Sequence, residues 1–286
     1  MRKQFRDTVI DLASADDSIV MILGDVSVYL FKKFQDQHPE RFHNMGICEN
    51  TLVSVGAGMS AQGFNPFVHT ITPFVTERSY EQIKLDMCYN QFGGNIVSCG
   101  ASFDYAWDGA THHCHTDLAI LRLLPDMEVI QPGSDRELDS LIRSQYANGK
   151  PTYFRLSDYP HDIKLDAEFG KAVVLKDVGS QITVMTAGPI LGNVMQAIAD
   201  LDVNLVYFHT IKPIDSDVIN RFKGSKILVV HDAFGLHEAL CSVTGLSLSL
   251  HGLPDEFLSW YGKLDNIRGK IGLDANSIRA YIQNNS

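Results

Sequence analysis

The residues of this 286-residue chain best suited to chemistry stand at the ends of short apolar runs. They are Asp25, Glu49, Phe74 with Arg78, the run Asp108-Gly-Ala-Thr-His-His-Cys-His115, and Arg155. Open α/β sheets place their ligands beyond the ends of their strands, so such a set can line one site. Glu49 begins a helix-length segment. There it is either a carboxylate resting on the positive end of the helix dipole or an acid taken out of water. Burial would raise its proton affinity and let it donate or accept a proton near neutral pH. His112, His113 and His115 lie close together, but they lack a spaced carboxylate on a helix or strand and form an incomplete zinc set. Arg155 ends a strand, where it makes a surface ion pair or grips a phosphate or carboxylate; spacing does not choose between these. The phosphate-binding loop, the dinucleotide fingerprint, the nucleophile elbow and the zinc-protease motif are all missing.

The elements that must position these residues alternate. Short β-rich runs at 20–23, 66–69, 95–99, 128–131 and 152–155 are separated by helical spacing at 49–61, 78–88, 117–123 and 135–146, the last capped by Ser134. This pattern predicts an α/β fold with a largely parallel sheet flanked by helices. In the 49–61 helix, Ser54, Gly56, Ala57, Gly58 and Ser60 lower helix propensity and allow close backbone approach, so this helix should be deeply packed. Residues 157–179 are polar, hold Pro160 and Gly170, and read as a crossing. A second α/β unit follows, with strands at 181–186, 203–208 and 226–231 and helices at 191–201, 215–222 and 236–243.

Composition bounds the answer. The chain is 45% apolar and 20% charged, with net charge −10 and no basic run, which argues against a nucleic-acid partner. No apolar stretch approaches the ~20 residues that span a bilayer. The opening segment reads as an amphipathic helix of the fold rather than a secretion signal. Five cysteines, an odd number without a C-x-x-C pair, fit a reducing cytoplasm.

Several blocks in series resemble the transketolase family. They are Met45-Gly-Ile-Cys-Glu-Asn50, Thr70-Ile-Thr-Pro-Phe-Val-Thr-Glu-Arg-Ser-Tyr-Glu-Gln-Ile83, Asp108-Gly-Ala-Thr-His112, Asp117-Leu-Ala-Ile-Leu-Arg122, Thr210-Ile-Lys-Pro-Ile-Asp215 and Ile271-Gly-Leu-Asp-Ala275. The likeness covers nearly the whole chain and falls on the family's carboxyl-terminal section. It implies a pyrimidine-binding domain over 1–160, a linker over 161–179 and a C-terminal domain over 180–286. It also implies thiamine diphosphate as cofactor. Glu49 then matches the glutamate that bonds the cofactor's pyrimidine and favours its imino form. Phe74 matches the aromatic that packs on that ring, with Ile71, Asp25 and Arg78 beside the cofactor. His112 matches a residue at the reacting centre, Asp108 one that meets substrate hydroxyls, and Arg155 one that holds a sugar phosphate.

Departures from the pattern carry information too. Ile71 stands where many relatives have a second aromatic, His113 replaces a Gln, Trp107 replaces an acid, and no histidine falls within 100–107. The resemblance therefore implies an altered acceptor pocket, suited to a modified, branched or unphosphorylated sugar. The Gly-Asp-Gly and downstream Asn that hold magnesium or calcium and the diphosphate are absent from the chain. That implies a separate amino-terminal subunit carrying them, in an α2β2 assembly. The leading expectation is the small subunit of a split transketolase that transfers a two-carbon glycolaldehyde unit from a ketose to an aldose. Its alternatives are a deoxyxylulose-phosphate-synthase-like or 2-oxo-acid dehydrogenase beta-type subunit, a non-catalytic scaffold, and a metal hydrolase built on the histidine cluster.

Overall fold

The computed structural model describes residues 1–243 and 248–285. Strand β1 (Ile19–Leu23) is five consecutive apolar residues, all buried, as a strand covered on both faces requires. Five more strands follow: β2 (Phe42–Asn44), β3 (Asn65–Ile71), β4 (Gly94–Cys99), β5 (Glu128–Ile130) and β6 (Pro151–Arg155). Together they form a parallel sheet in the order β5-β6-β4-β3-β1-β2. The later strands are β7 (Val173–Lys176), β8 (Ile182–Ala187), β9 (Asn204–Phe208), β10 (Thr210–Lys212), β11 (Lys226–Val230) and β12 (Leu248–His251). The second sheet runs β12-β11-β8-β9-β7, parallel except for β7 on β9. The α/β class read from the alternation is the fold observed.

Two strands cross the division read from the sequence. β7 lies inside the segment 161–179, so the second sheet begins before residue 180. β10 returns to the first sheet and pairs antiparallel with β5, which would otherwise present an open edge. One apolar core also spans both units, joining Leu118, Leu121 and Val129 to Met185, Val229 and Leu236.

The helix read over 78–88 is present from Tyr80 to Tyr89, most of it wound wide. A short helix at Thr72–Thr76, with Pro73 in its first turn, is followed by a helical turn at Tyr80–Gln82 and a wide i→i+5 helix at Ile83–Tyr89. The wide pitch turns Ile83, Met87 and Cys88 together into the core. The Glu49–Ala61 helix starts where expected, but it is packed on one side only. A Cβ at Gly56 would stand 2.6 Å from Val68 Cγ2 of β3, whereas Ser54 and Gly58 are exposed. Ser134 caps Asp135–Gln145 as expected, accepting a hydrogen bond from the Glu137 amide.

Candidate active site

The carboxyl ends of β1 and β3 open onto a cavity of about 140 Å³ lined by Gly24, Asp25, Ile47, Glu49, Ile71 and Phe74, among others. Hydrogen bonding explains how distant residues meet there. The Met45 amide continues the β2–β1 pairing by donating to the Leu23 carbonyl (2.9 Å), which delivers the start of the Glu49 helix to the end of β1. Thr72 Oγ1 bonds Ser98 Oγ (3.0 Å) and the Cys99 carbonyl (2.8 Å), fixing the turn that carries Phe74.

Glu49 is only 2% exposed. Its Oε2 accepts a hydrogen bond from Arg78 Nη1 at 2.7 Å. Among the described residues Oε1 has no hydrogen-bond partner. Arg78 is half-exposed, and its guanidinium carbon lies 4.5 Å from the centroid of the Phe74 ring. Asn50, the next residue of the helix, holds the Arg78 carbonyl (3.0 Å) and Gln82 Oε1 (2.7 Å), so the pair is locked at its backbone as well. One side of the cavity is thus a carboxyl group with one oxygen committed and one free, next to an aromatic face.

The rim is strained. Asp25 and Ser27 both adopt left-handed φ values, +66° and +65°, which cost L-residues energy and recur at ligand sites. Asn44 holds Asp25 in place by accepting from its amide (3.0 Å) and donating to its carboxylate (3.2 Å). Ser27 is held by His69, a residue sequence reasoning passed over because it sits within an apolar strand. His69 is fully buried, and burial pulls its imidazole down to about 4. As a neutral ring it donates from Nδ1 to the Val97 carbonyl (2.7 Å), which leaves Nε2 to accept from the Ser27 hydroxyl (3.0 Å).

His112 follows the Gly109–Thr111 turn, with its ring edge-on to Phe74 at 5.2 Å and its Nδ1 2.9 Å from Thr111 Oγ1. Asp108 opens the same turn, exposed, with a carboxylate that has no partner among the described residues. The structure therefore gathers Glu49, Ile71, Phe74 and Asp25 around one cavity, joins Arg78 to it through Glu49, sets His112 against Phe74, and leaves Asp108 at the exposed turn.

Arg155 does not join them, and its reading as a substrate anchor is corrected. Its side chain is 1% exposed, its Nε donates to Asp117 Oδ2 (2.8 Å) and its Nη2 to the Cys114 carbonyl (3.1 Å). Asp117 and Asp232 hold its pKa above the ordinary arginine value despite burial. Immersed in the protein, with Nε and Nη2 engaged there, Arg155 presents no exposed face to a phosphate. Nor is the ion pair a surface one. The three histidines, read as an incomplete zinc set, do not converge on one point. His113 and His115 both pack on Phe103, at 5.0 and 5.6 Å, while His112 faces Phe74. Among the described residues no group of three or more potential ligands could hold a metal.

A family model described as the transketolase pyrimidine-binding domain matches residues 1–159. The chain belongs to the transketolase family. Within that family, a subunit of the apulose-4-phosphate transketolase of Phocaeicola vulgatus is 31% identical over 97% of this chain and 94% of its own length. The 6-deoxy-6-sulfo-D-fructose transketolase subunit of a Clostridium species is 27% identical over 97% of the chain and 92% of its own. Among solved structures, a split-gene transketolase in an inactive β4 tetramer superposes with a TM-score of 0.87 at 26% identity, covering 99% of this chain and 97% of that one. The transketolase-family chain described here is thus similar over nearly its whole length to proteins that are themselves subunits. The pyrimidine domain implies dependence on thiamine diphosphate. The cavity fits the ring end of that cofactor: a flat aromatic wall, aliphatic Ile47 and Ile71, and a carboxyl oxygen without a partner.

Proposed function

We propose that this chain is the C-terminal subunit of a split transketolase that transfers a two-carbon glycolaldehyde unit from a ketose to an aldose. The reading is supported above all by one observation, the buried Glu49 carboxyl with a free oxygen beside Phe74 at a ring-sized cavity. Thiamine diphosphate, when bound, supplies the nucleophilic carbon and the electron sink for carbon–carbon cleavage. The chain's own residues do the rest. Phe74 and Ile71 give a planar ring an apolar wall, and Glu49 holds a proton at the pyrimidine nitrogen. His112, half-exposed beside Phe74, moves protons at substrate oxygens, and the unpaired Asp108 carboxylate accepts hydrogen bonds from sugar hydroxyls.

A partner amino-terminal subunit carries the magnesium or calcium and diphosphate ligands that this sequence lacks. Two copies of each form an α2β2 enzyme in the cytoplasm. The substrates are sugars or sugar phosphates, and the immersed Arg155 favours acceptors not gripped by that residue. Purifying the chain with such a partner and assaying ketose against pyruvate cleavage tests the proposal. Ketose-dependent two-carbon transfer that needs both chains and thiamine diphosphate is expected. Cleavage of pyruvate alone would instead favour the deoxyxylulose-phosphate-synthase-like or dehydrogenase-type alternatives, and cofactor binding without turnover of either would favour a scaffold.

A further inference from the structure

The loop between β4 and the Asp117–Arg122 helix carries His112 and is closed at its base. There Ser102 and Cys114 exchange both backbone hydrogen bonds, at 2.8 and 2.9 Å. Thr76 and Glu77 of the first unit meet Cys114 and Thr116 there, and the second unit also reaches this base. Ser102 Oγ donates to the Asp232 carbonyl (2.6 Å), and the Phe234 amide donates to the His115 carbonyl (2.7 Å). Arg155, bonded to the Cys114 carbonyl, has Nη1 4.0 Å from Asp232 Oδ1, and Arg268 Nη2 lies 3.6 Å from Asp232 Oδ2. Farther along the loop, Phe103 and Ala106 pack into one apolar cluster with Leu258, Leu264 and Ile267. The ring of Tyr261 lies so close to the left-handed Gly109 that a Cβ there would stand 2.5 Å from it.

We infer that the turn after β11 is a brace for the His112 loop, with Asp232 as a positioning residue for the reaction. Asp232 is 4% exposed and touches neither the cavity nor His112. Its backbone carbonyl takes the Ser102 hydroxyl, while its carboxylate faces the arginine that holds Cys114 and Arg268 of the helix at Leu264–Lys270 at ion-pair distance. A displacement of about 1 Å in a reacting group can lower a rate about a hundredfold, so a brace of this kind acts on turnover. The cofactor cavity hangs on β1, β3 and the Glu49 helix, none of which Asp232 touches, so cofactor affinity is set independently.

This inference rests on the proposed reaction, and its test has an arm that does not. Asp232→Ala, Asp232→Asn and Ser102→Ala are compared with native protein in the two-subunit complex, by amide hydrogen exchange over 102–115 and by steady-state kinetics. The brace predicts faster exchange confined to that loop and a fall in kcat of roughly tenfold to a hundredfold for Asp232→Ala. Asp232→Asn and Ser102→Ala should fall less, with the apparent affinity for thiamine diphosphate within about twofold of native throughout. Native exchange and native kcat in folded Asp232→Asn and Ser102→Ala overturn the inference. So does a loss of cofactor affinity parallel to the loss of kcat. If the native complex transfers no two-carbon unit, the functional reading fails, while the exchange arm still decides the brace.

Discussion

Two arginine–carboxylate pairs of nearly equal length lie within the first unit. Arg78 meets Glu49 at 2.7 Å and Arg155 meets Asp117 at 2.8 Å. They differ in what surrounds them. In the first, the arginine is half in solvent and the acid keeps one oxygen free toward a cavity. In the second, both side chains are immersed, Nη2 of the arginine donates to the Cys114 carbonyl, and its Nη1 lies 4.0 Å from Asp232 Oδ1. A pair with an uncommitted atom facing open space can act on a ligand, whereas a pair immersed in the protein holds elements together.

The contrast is broken most sharply by Glu49→Gln. The amide keeps the shape but cannot share the proton, so turnover should fall about a thousandfold or more with an unchanged far-ultraviolet spectrum. The opposite result is expected at the other pair. Arg155→Met leaves Asp117 charged and uncompensated, which costs about 3–5 kcal/mol in urea unfolding, and adding Asp117→Leu should recover much of that loss. A loss of activity toward phosphorylated substrates alone, at native stability, would return Arg155 to the substrate.

How far the sequence went follows from the same contrast. Glu49, Phe74 and His112 were legible because their blocks resemble a family and because local chemistry places them: a helix start, a turn after a strand, a glycine turn. Arg155 was misplaced because its partners, Asp117, Cys114 and Asp232, come together only through tertiary packing across the two units. Sequence spacing carries no burial for a strand-end arginine. His69 was missed for a related reason, since a histidine in an apolar strand announces neither of its hydrogen bonds. In the fold, the long apolar strands of both sheets were visible. β2, β7, β10 and β12 were not, being edge strands of three or four residues whose pairing is set by distant segments.

Buried groups outside the lining of the cavity sharpen the comparison through pH. Burial pulls His69 and His231 down to about 4, and unfolding restores their ordinary affinity near 6.5. The unfolded chain therefore binds more protons between about pH 4 and 6.5, and the stability these two groups contribute is lost as pH falls through that window. Asp104, buried under Ser157 and the Asp158 amide, is pushed up to about 7 and acts in the opposite sense, its contribution being lost as pH rises from about 4 to 7. Two groups outweigh one, so stability should rise overall from pH 4 to 6.5, by at most about 1.4 kcal/mol per unit for each group. Urea midpoints across pH check this. Asp104→Asn should steepen the rise and His69→Gln should flatten it. The smallest effect belongs to Arg78→Gln. With the arginine of the pair half-exposed and its acid bordering the cavity, the urea midpoint should move less than for Arg155→Met. A large destabilisation there would mean that the two arginine pairs are alike after all.

The action proposed for Glu49 on the cofactor ring can be watched before any sugar is bound. The measurement is the rate at which the thiazolium C2 hydrogen of bound thiamine diphosphate exchanges with deuterium, in the two-subunit complex and in its Glu49→Gln variant at equal cofactor occupancy. If Glu49 activates the ring, exchange is fast in the native complex and falls roughly a hundredfold or more in the variant. Equal rates in the two would contradict that role.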